Sequence, residues 1–152
     1  MNRIVAGAAA LNQTPLDWSG NTRRAAAAVA EARDLGVGWL CLPELALTGY
    51  GCEDMFLSPE VGERALAALH EFAPQCSGLV VAVGLPLWFE SSVFNVVAVI
   101  IDGGLEGFVA KQNLAGDGLH YEPRWFKAWP EGRVERLHTG GREVPIGDLV
   151  FD

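Results

Sequence analysis

Two runs in the middle of the chain, GLVVAVGLPLW over residues 78–88 and SVFNVVAVIID over 92–102, are apolar and β-branched almost without interruption. A strand with one wet face alternates apolar and polar side chains. A run apolar on both alternations must instead be covered on both sides. Only the short connection FESS joins the two runs, so they are expected to pair as neighbours. Strands of this kind need helices laid over them, which points to an α/β layered fold.

The flanking segments supply those layers. Ile4 to Leu11 reads as a short buried strand, and TPLDWSGN as turn chemistry. From Asn21, NTRRAAAAVAEARDLG sets Ala25, Ala28, Val29 and Ala32 on one helical face and stops at Gly36. Residues 37–42 form the next strand. A second helix follows in SPEVGERALAALHEF, with Ser58 as N-cap, Pro59 at the first helical position and Glu60 at the positive end of the dipole. Its stripe is Val61, Ala65, Ala68, Leu69 and Phe72. After the two central runs, GGLEGFVAKQNL gives a strand with Lys111 at its end, on the alternation of Leu105, Gly107 and Val109.

The predicted order is therefore βαβαβββ. Residues 114–143 read as one long loop, rich in Gly, Pro and charge, with four aromatics between Tyr121 and Trp129. Loops of that length inside a domain are usually functional. VPIGDLVFD then reads as a further strand just beginning. Residues 1–152 are thus expected to be the N-terminal portion of a single domain, incomplete at its C-terminal side.

Charge and cysteine usage exclude several classes. The net charge is −8 and the 11 basic residues are scattered, which disfavours nucleic acid and anionic membrane as partners. No stretch approaches the ~20 apolar residues of a membrane span. Cys41, Cys52 and Cys76 have no paired spacing, which fits a reducing, cytoplasmic setting. His70, His120 and His138 lie far apart and no HExxH or CxxC occurs, so no metal site is expected.

Three charged residues stand where apolar strands give out. Glu44 follows WLCLP directly, Lys111 closes the FVA strand, and Glu122 sits in the aromatic loop. Taken singly, each reads as a surface or edge residue. Together, two carboxylates and an ammonium could neutralise one another inside a pocket. Two acids alone would also suit a glycosidase pair, but the lysine would then have no role.

These residues carry a resemblance. LPELALTGYGCED, Lys111 after its FVA strand, HYEPRWF, and AALNQTPLDWSGN at the start together resemble the nitrilase, or carbon–nitrogen hydrolase, superfamily. KQNLAGDGLHYEPRWFKAW followed by VPIGDLVFD is similar to its branch of glutaminase domains in glutamine-dependent NAD synthetases. The resemblance implies part of a four-layer α-β-β-α sandwich and a Glu–Lys–Cys triad. Glu44 would be the general base, Lys111 the oxyanion stabiliser, and Glu122 the accessory acid that orients Lys111. Tyr50 would pack beneath Glu44, and Asp117 would lie near bound glutamine.

The nucleophilic cysteine of that family would lie beyond this chain. Cys41 reads as a core thiol, and neither Cys52 nor Cys76 fits the nucleophile position. The implied function is hydrolysis of glutamine to supply ammonia for ATP-dependent NAD synthesis from nicotinic acid adenine dinucleotide. No cofactor is expected in this chain, with ATP and Mg confined to a C-terminal synthetase domain. Homo-oligomerisation is expected, and the chain alone should be inactive. Two other readings remain: an amidase for N-carbamoyl or aliphatic amides, and a non-catalytic binding or oligomerisation module. An uncovered strand at 146–151 would argue against a stable monomer.

Overall fold

A computed structural model describes residues 3–117 and 121–151. The strands are β1 (Ala6–Ala8), β2 (Trp39–Cys41), β3 (Val80–Phe89), β4 (Ser92–Ile101), β5 (Gly104–Ala110), β6 (Val134–Thr139) and β7 (Arg142–Gly147). They form one seven-stranded sheet in the order β1-β2-β3-β4-β5-β7-β6. The pairs β1–β2, β2–β3 and β5–β7 are parallel. The pairs β3–β4, β4–β5 and β6–β7 are antiparallel.

The helices are α1 (Trp18–Asp34) and α2 (Pro59–Phe72). The first begins three residues earlier than the apolar pattern predicts, because the Asp17 carboxylate accepts from the Gly20 amide at 3.0 Å and caps it. In the second, Pro59 holds the first position as predicted, while Ser58 makes no side-chain cap bond. Both helices lie on one face of the sheet. Ala25 and Val29 of α1 and Ala65, Leu69 and Phe72 of α2 meet Val81, Val83, Leu85 and Ile100, all at most 1% exposed.

The two central runs do pair along their full length, from Val80 opposite Ile101 to Phe89 opposite Ser92. The expectation of burial on both faces holds at the site end, over Val83–Leu87 and Val93–Val96, and only on the helical side toward Val80 and Ile101. The other face presents Trp39 at 53%, Val97 at 36% and Ile101 at 40% exposure, around a cavity of about 570 Å³. Strand alternation sends Leu40 into the core and Trp39 and Cys41 to this open face. Cys41 is therefore not the core thiol its apolar setting predicts.

The largest departure lies in residues 114–143. That segment is not all loop, since Val134–Thr139 is the sheet's edge strand β6. Gly140 and Gly141, at φ 58° and 78°, form the two-residue turn that returns it as β7. Consequently Arg142–Gly147 pairs with β6 along its length and with β5 at Ile146 and Gly147, whereas residues 148–151 of the expected strand are irregular and leave Val150 90% exposed.

Among the described residues no helix is long and apolar enough to cross a membrane.

Candidate active site

Glu44 leaves the sheet just past β2, and its placement depends on a gap in β3. A Cβ at Gly84 would stand 2.4 Å from Leu45 N and 2.8 Å from both Glu44 Cα and Pro43 O. Only glycine lets the Glu44 segment cross so close. The turn is then fixed by Leu45 at φ 51°, and by Gly49 N and Thr48 Oγ1, which both donate to the Leu45 carbonyl.

Lys111 continues the β5–β4 pairing by one residue, its amide donating to Asn95 O at 2.9 Å. The side chains of Lys111 and Asn95 thereby become cross-strand neighbours. A bulge in β5, where Val99 pairs with Gly107 and Ile100 with Leu105, leaves Glu106 unpaired and inverts the alternation. Leu105 therefore joins Phe108 and Ala110 in the core, and not the face of Lys111. Glu122 arrives from a short 3₁₀ turn, Glu122–Arg124, and is 1% exposed.

The three charged residues meet. Lys111 Nζ donates to Glu44 Oε1 at 2.7 Å and to Glu122 Oε1 at 2.9 Å. Asn95, 3% exposed, donates from Nδ2 to Glu44 Oε1 at 2.6 Å and to Glu122 Oε1 at 3.2 Å. The Ala115 amide donates to Glu122 Oε2. Asn95 escapes sequence reading because one amide in a strongly apolar strand carries no motif. Its signal is that a buried amide must find partners.

The electrostatics follow from these contacts. Burial opposes ionisation of Glu122, but hydrogen bonds from the Lys111 ammonium and the Ala115 amide outweigh it and hold the carboxyl below the usual range. Partial burial disfavours the Lys111 ammonium. The two carboxylates more than compensate and raise its pKa. Tyr50 is raised by burial and then by the charges of Glu122 and Glu44. It is 43% exposed, and so stands near the cluster without being packed away beneath Glu44. Asp117 is exposed and makes no contact with the cluster among the described residues. His120 lies outside the described residues.

A cavity of about 370 Å³ opens on this group, lined by Glu44, Asn95 and Lys111 with apolar walls from Val97 and Val109. The Glu44 side chain is 39% exposed and that of Lys111 32%. A carboxylate and an ammonium thus face the opening, while the second acid is sealed behind them.

Cys41 lines this cavity, but no cysteine hydrogen-bonds to the charged group. Cys52 is buried, donates to the carbonyls of Thr48 and Gly49, and has a thiol pKa raised by burial. Burial pushes the Cys76 thiol up to about 12. Cys41 hydrogen-bonds Leu42 O at 3.7 Å.

The sequence profile of the carbon-nitrogen hydrolase family matches residues 5–149. The chain belongs to that family. It is 31% identical over 160 residues to a glutamine-dependent NAD(+) synthetase of Drosophila melanogaster, covering 98% of this chain and 20% of that one. A solved glutamine-dependent NAD(+) synthetase from Cytophaga hutchinsonii superposes with a TM-score of 0.95 at 42% identity, over 98% of this chain and 26% of that one. An amidase from Nesterenkonia sp. shares the fold, with a TM-score of 0.64 at 24% identity over 91% of this chain and 52% of that one. This carbon-nitrogen hydrolase chain therefore spans a fifth to a quarter of the length of the synthetases it matches. Its helical layer and seven-stranded sheet form part of the nitrilase-like α-β-β-α architecture.

Proposed function

We propose that residues 1–152 are the base-and-cation part of a glutaminase site that supplies ammonia to an NAD synthetase. The observation that carries this reading is the Lys111 ammonium held between Glu44 at 2.7 Å and Glu122 at 2.9 Å, with the first acid exposed and the second sealed. The named relatives, glutamine-dependent NAD(+) synthetases in each case, support glutamine as the amide.

In this mechanism the nucleophile is a cysteine thiol from a part of the domain outside these residues. Glu44 takes the thiol proton, and the thiolate sulfur bonds to the amide carbon of glutamine. The carbonyl oxygen becomes an oxyanion, stabilised by the Lys111 ammonium. Removing one such fixed donor typically costs about 10²–10³ in kcat. Glu44 returns its proton to the amide nitrogen as the C–N bond breaks, releasing ammonia and leaving a thioester. Glu44 then takes a proton from water, whose oxygen bonds to the thioester carbon. The C–S bond breaks to release glutamate, and Glu44 returns the proton to the departing sulfur, regenerating the thiol.

Glu122 holds Lys111 throughout and is itself fixed by Asn95 and the Ala115 amide, so no reorganisation is needed when charge develops. The ammonia would be used by an ATP- and Mg-dependent synthetase domain of the same protein, to amidate nicotinic acid adenine dinucleotide. Tyr50 and Asp117 are proposed to flank the bound amide, and a homo-oligomer is the proposed assembly.

Ammonia release from L-glutamine tests this reading. The 152-residue chain is expected to release none above buffer, and a longer protein carrying these residues within an entire carbon–nitrogen hydrolase domain is expected to turn over. Turnover by the 152 residues alone would refute the assignment of the nucleophile.

A further inference from the structure

Two irregular segments meet at an ion pair outside the cluster. One is the 3₁₀ segment Tyr50–Leu57, which follows the Glu44 turn. The other is the turn Glu122–Arg124, which carries the sealed acid. Arg124 Nε donates to Asp54 Oδ1 at 2.7 Å and Nη2 to Asp54 Oδ2 at 2.8 Å, a two-point fork. Trp125 Nε1 adds a third donor to Asp54 Oδ1 at 2.9 Å. Among the described residues no backbone hydrogen bond joins the two segments. Below the fork, Phe56 packs against the residues that follow the turn, with ring centroids 5.0 Å from Phe126 and 6.1 Å from Trp125.

We propose that Asp54 is a positioning residue: by gripping Arg124 and Trp125 it sets where the Glu122 carboxylate stands under Lys111. The inference rests on the reading of Glu44, Lys111 and Glu122 as the working site, but its geometry can be tested without turnover. Arg124 follows Glu122 by two residues within one tight turn, whose rise is ~2 Å per residue. The Trp125 and Phe126 amides both bond back to the Glu122 carbonyl. A movement of the fork is therefore a movement of Glu122. The acid has little tolerance for it, because its bonds to Lys111 and Asn95 are already 2.9 and 3.2 Å long.

An exposed ion pair ordinarily does little for folding, and Asp54 and Arg124 are 61% and 52% exposed. Here the pair is assigned a geometric role. The ring it closes has Glu44–Lys111–Glu122 on the inside and Asp54–Arg124 on the rim.

The test is NMR on the 152-residue chain, comparing wild type, Asp54→Asn and Arg124→Lys. The Trp125 indole N–H resonance reports whether the fork is broken, and the β3–β4 amides report that the sheet stays folded. With the fork broken, the Glu122 side-chain carbon is expected to titrate closer to the ordinary carboxylate range. The Ala115 amide should exchange about tenfold faster or more. Arg124→Lys keeps the charge but loses the fork, and should reproduce both changes, whereas Asp54→Glu should restore them. An unchanged Glu122 titration and Ala115 exchange in a folded chain with a displaced Trp125 resonance would overturn the proposal. Failure of the glutaminase reading would leave this titration untouched, so the two outcomes are separable.

Discussion

Gly84→Ala probes the crossing that holds Glu44 in place. The added methyl would sit 2.4 Å from Leu45 N and 2.8 Å from Glu44 Cα and Pro43 O, all of them backbone atoms. Restoring ordinary contact requires the Glu44 segment to retreat by about 1 Å, and overpacking of this kind typically costs about 1–3 kcal/mol. The Oε1 of Glu44 now stands 2.6 Å from Asn95 and 2.7 Å from Lys111. A 1 Å retreat would stretch both to about 3.6 Å, beyond a hydrogen bond. Urea unfolding should therefore show a loss of about 2 kcal/mol. The Lys111 side-chain amine should in parallel lose part of its raised pKa, followed by NMR. A change below about 0.3 kcal/mol, within the ordinary scatter of harmless substitutions, with an unaltered Lys111 titration would refute the crossing argument.

Three further outcomes follow from the same contacts. Asn95→Leu removes the donor shared by both carboxylates, and because Glu122 is sealed the cost should be about 2 kcal/mol by urea unfolding. Stability should fall at both pH extremes for opposite reasons. Folded Glu122 lies below its ordinary 4.5, so its contribution is whole above that pH and disappears as pH falls through the folded midpoint. Folded Lys111 lies above its ordinary 10.5, so its contribution is whole below that pH and disappears as pH rises through the folded midpoint. Glu122→Gln should flatten the acid limb, and an unchanged acid limb would contradict this. In a native thiol-labelling assay Cys41 should react alone, with Cys52 and Cys76 reacting only on unfolding, since both are buried with raised thiols.

Much of the layered fold could be read from periodicity. The stripes of α1 and α2 and the doubly apolar β3 and β4 answer to side-chain spacing alone. What periodicity missed has local physical causes. β6 is an edge strand in which Glu135, Arg136 and His138 interrupt any apolar run, and its remaining signal is the Gly140–Gly141 turn that pairs it with β7. The bulge at Glu106 reversed which side chains of β5 share a face with Lys111, and a one-residue slip leaves no mark in composition. Glu44, Lys111 and Glu122 were legible as odd charges at the ends of apolar runs, and the family resemblance brought them together. Asn95 and the Asp54–Arg124 fork were not legible. Each is a contact across tens of residues between types that are common on any surface.

The most direct test of the central claim is ammonia release from L-glutamine by the protein carrying its intact coding sequence, wild type against Lys111→Met. The account expects a folded variant whose kcat falls by about 10²–10³, with glutamine still bound. Retention of kcat within a few-fold of wild type would contradict the assignment of Lys111 as the group that carries the oxyanion.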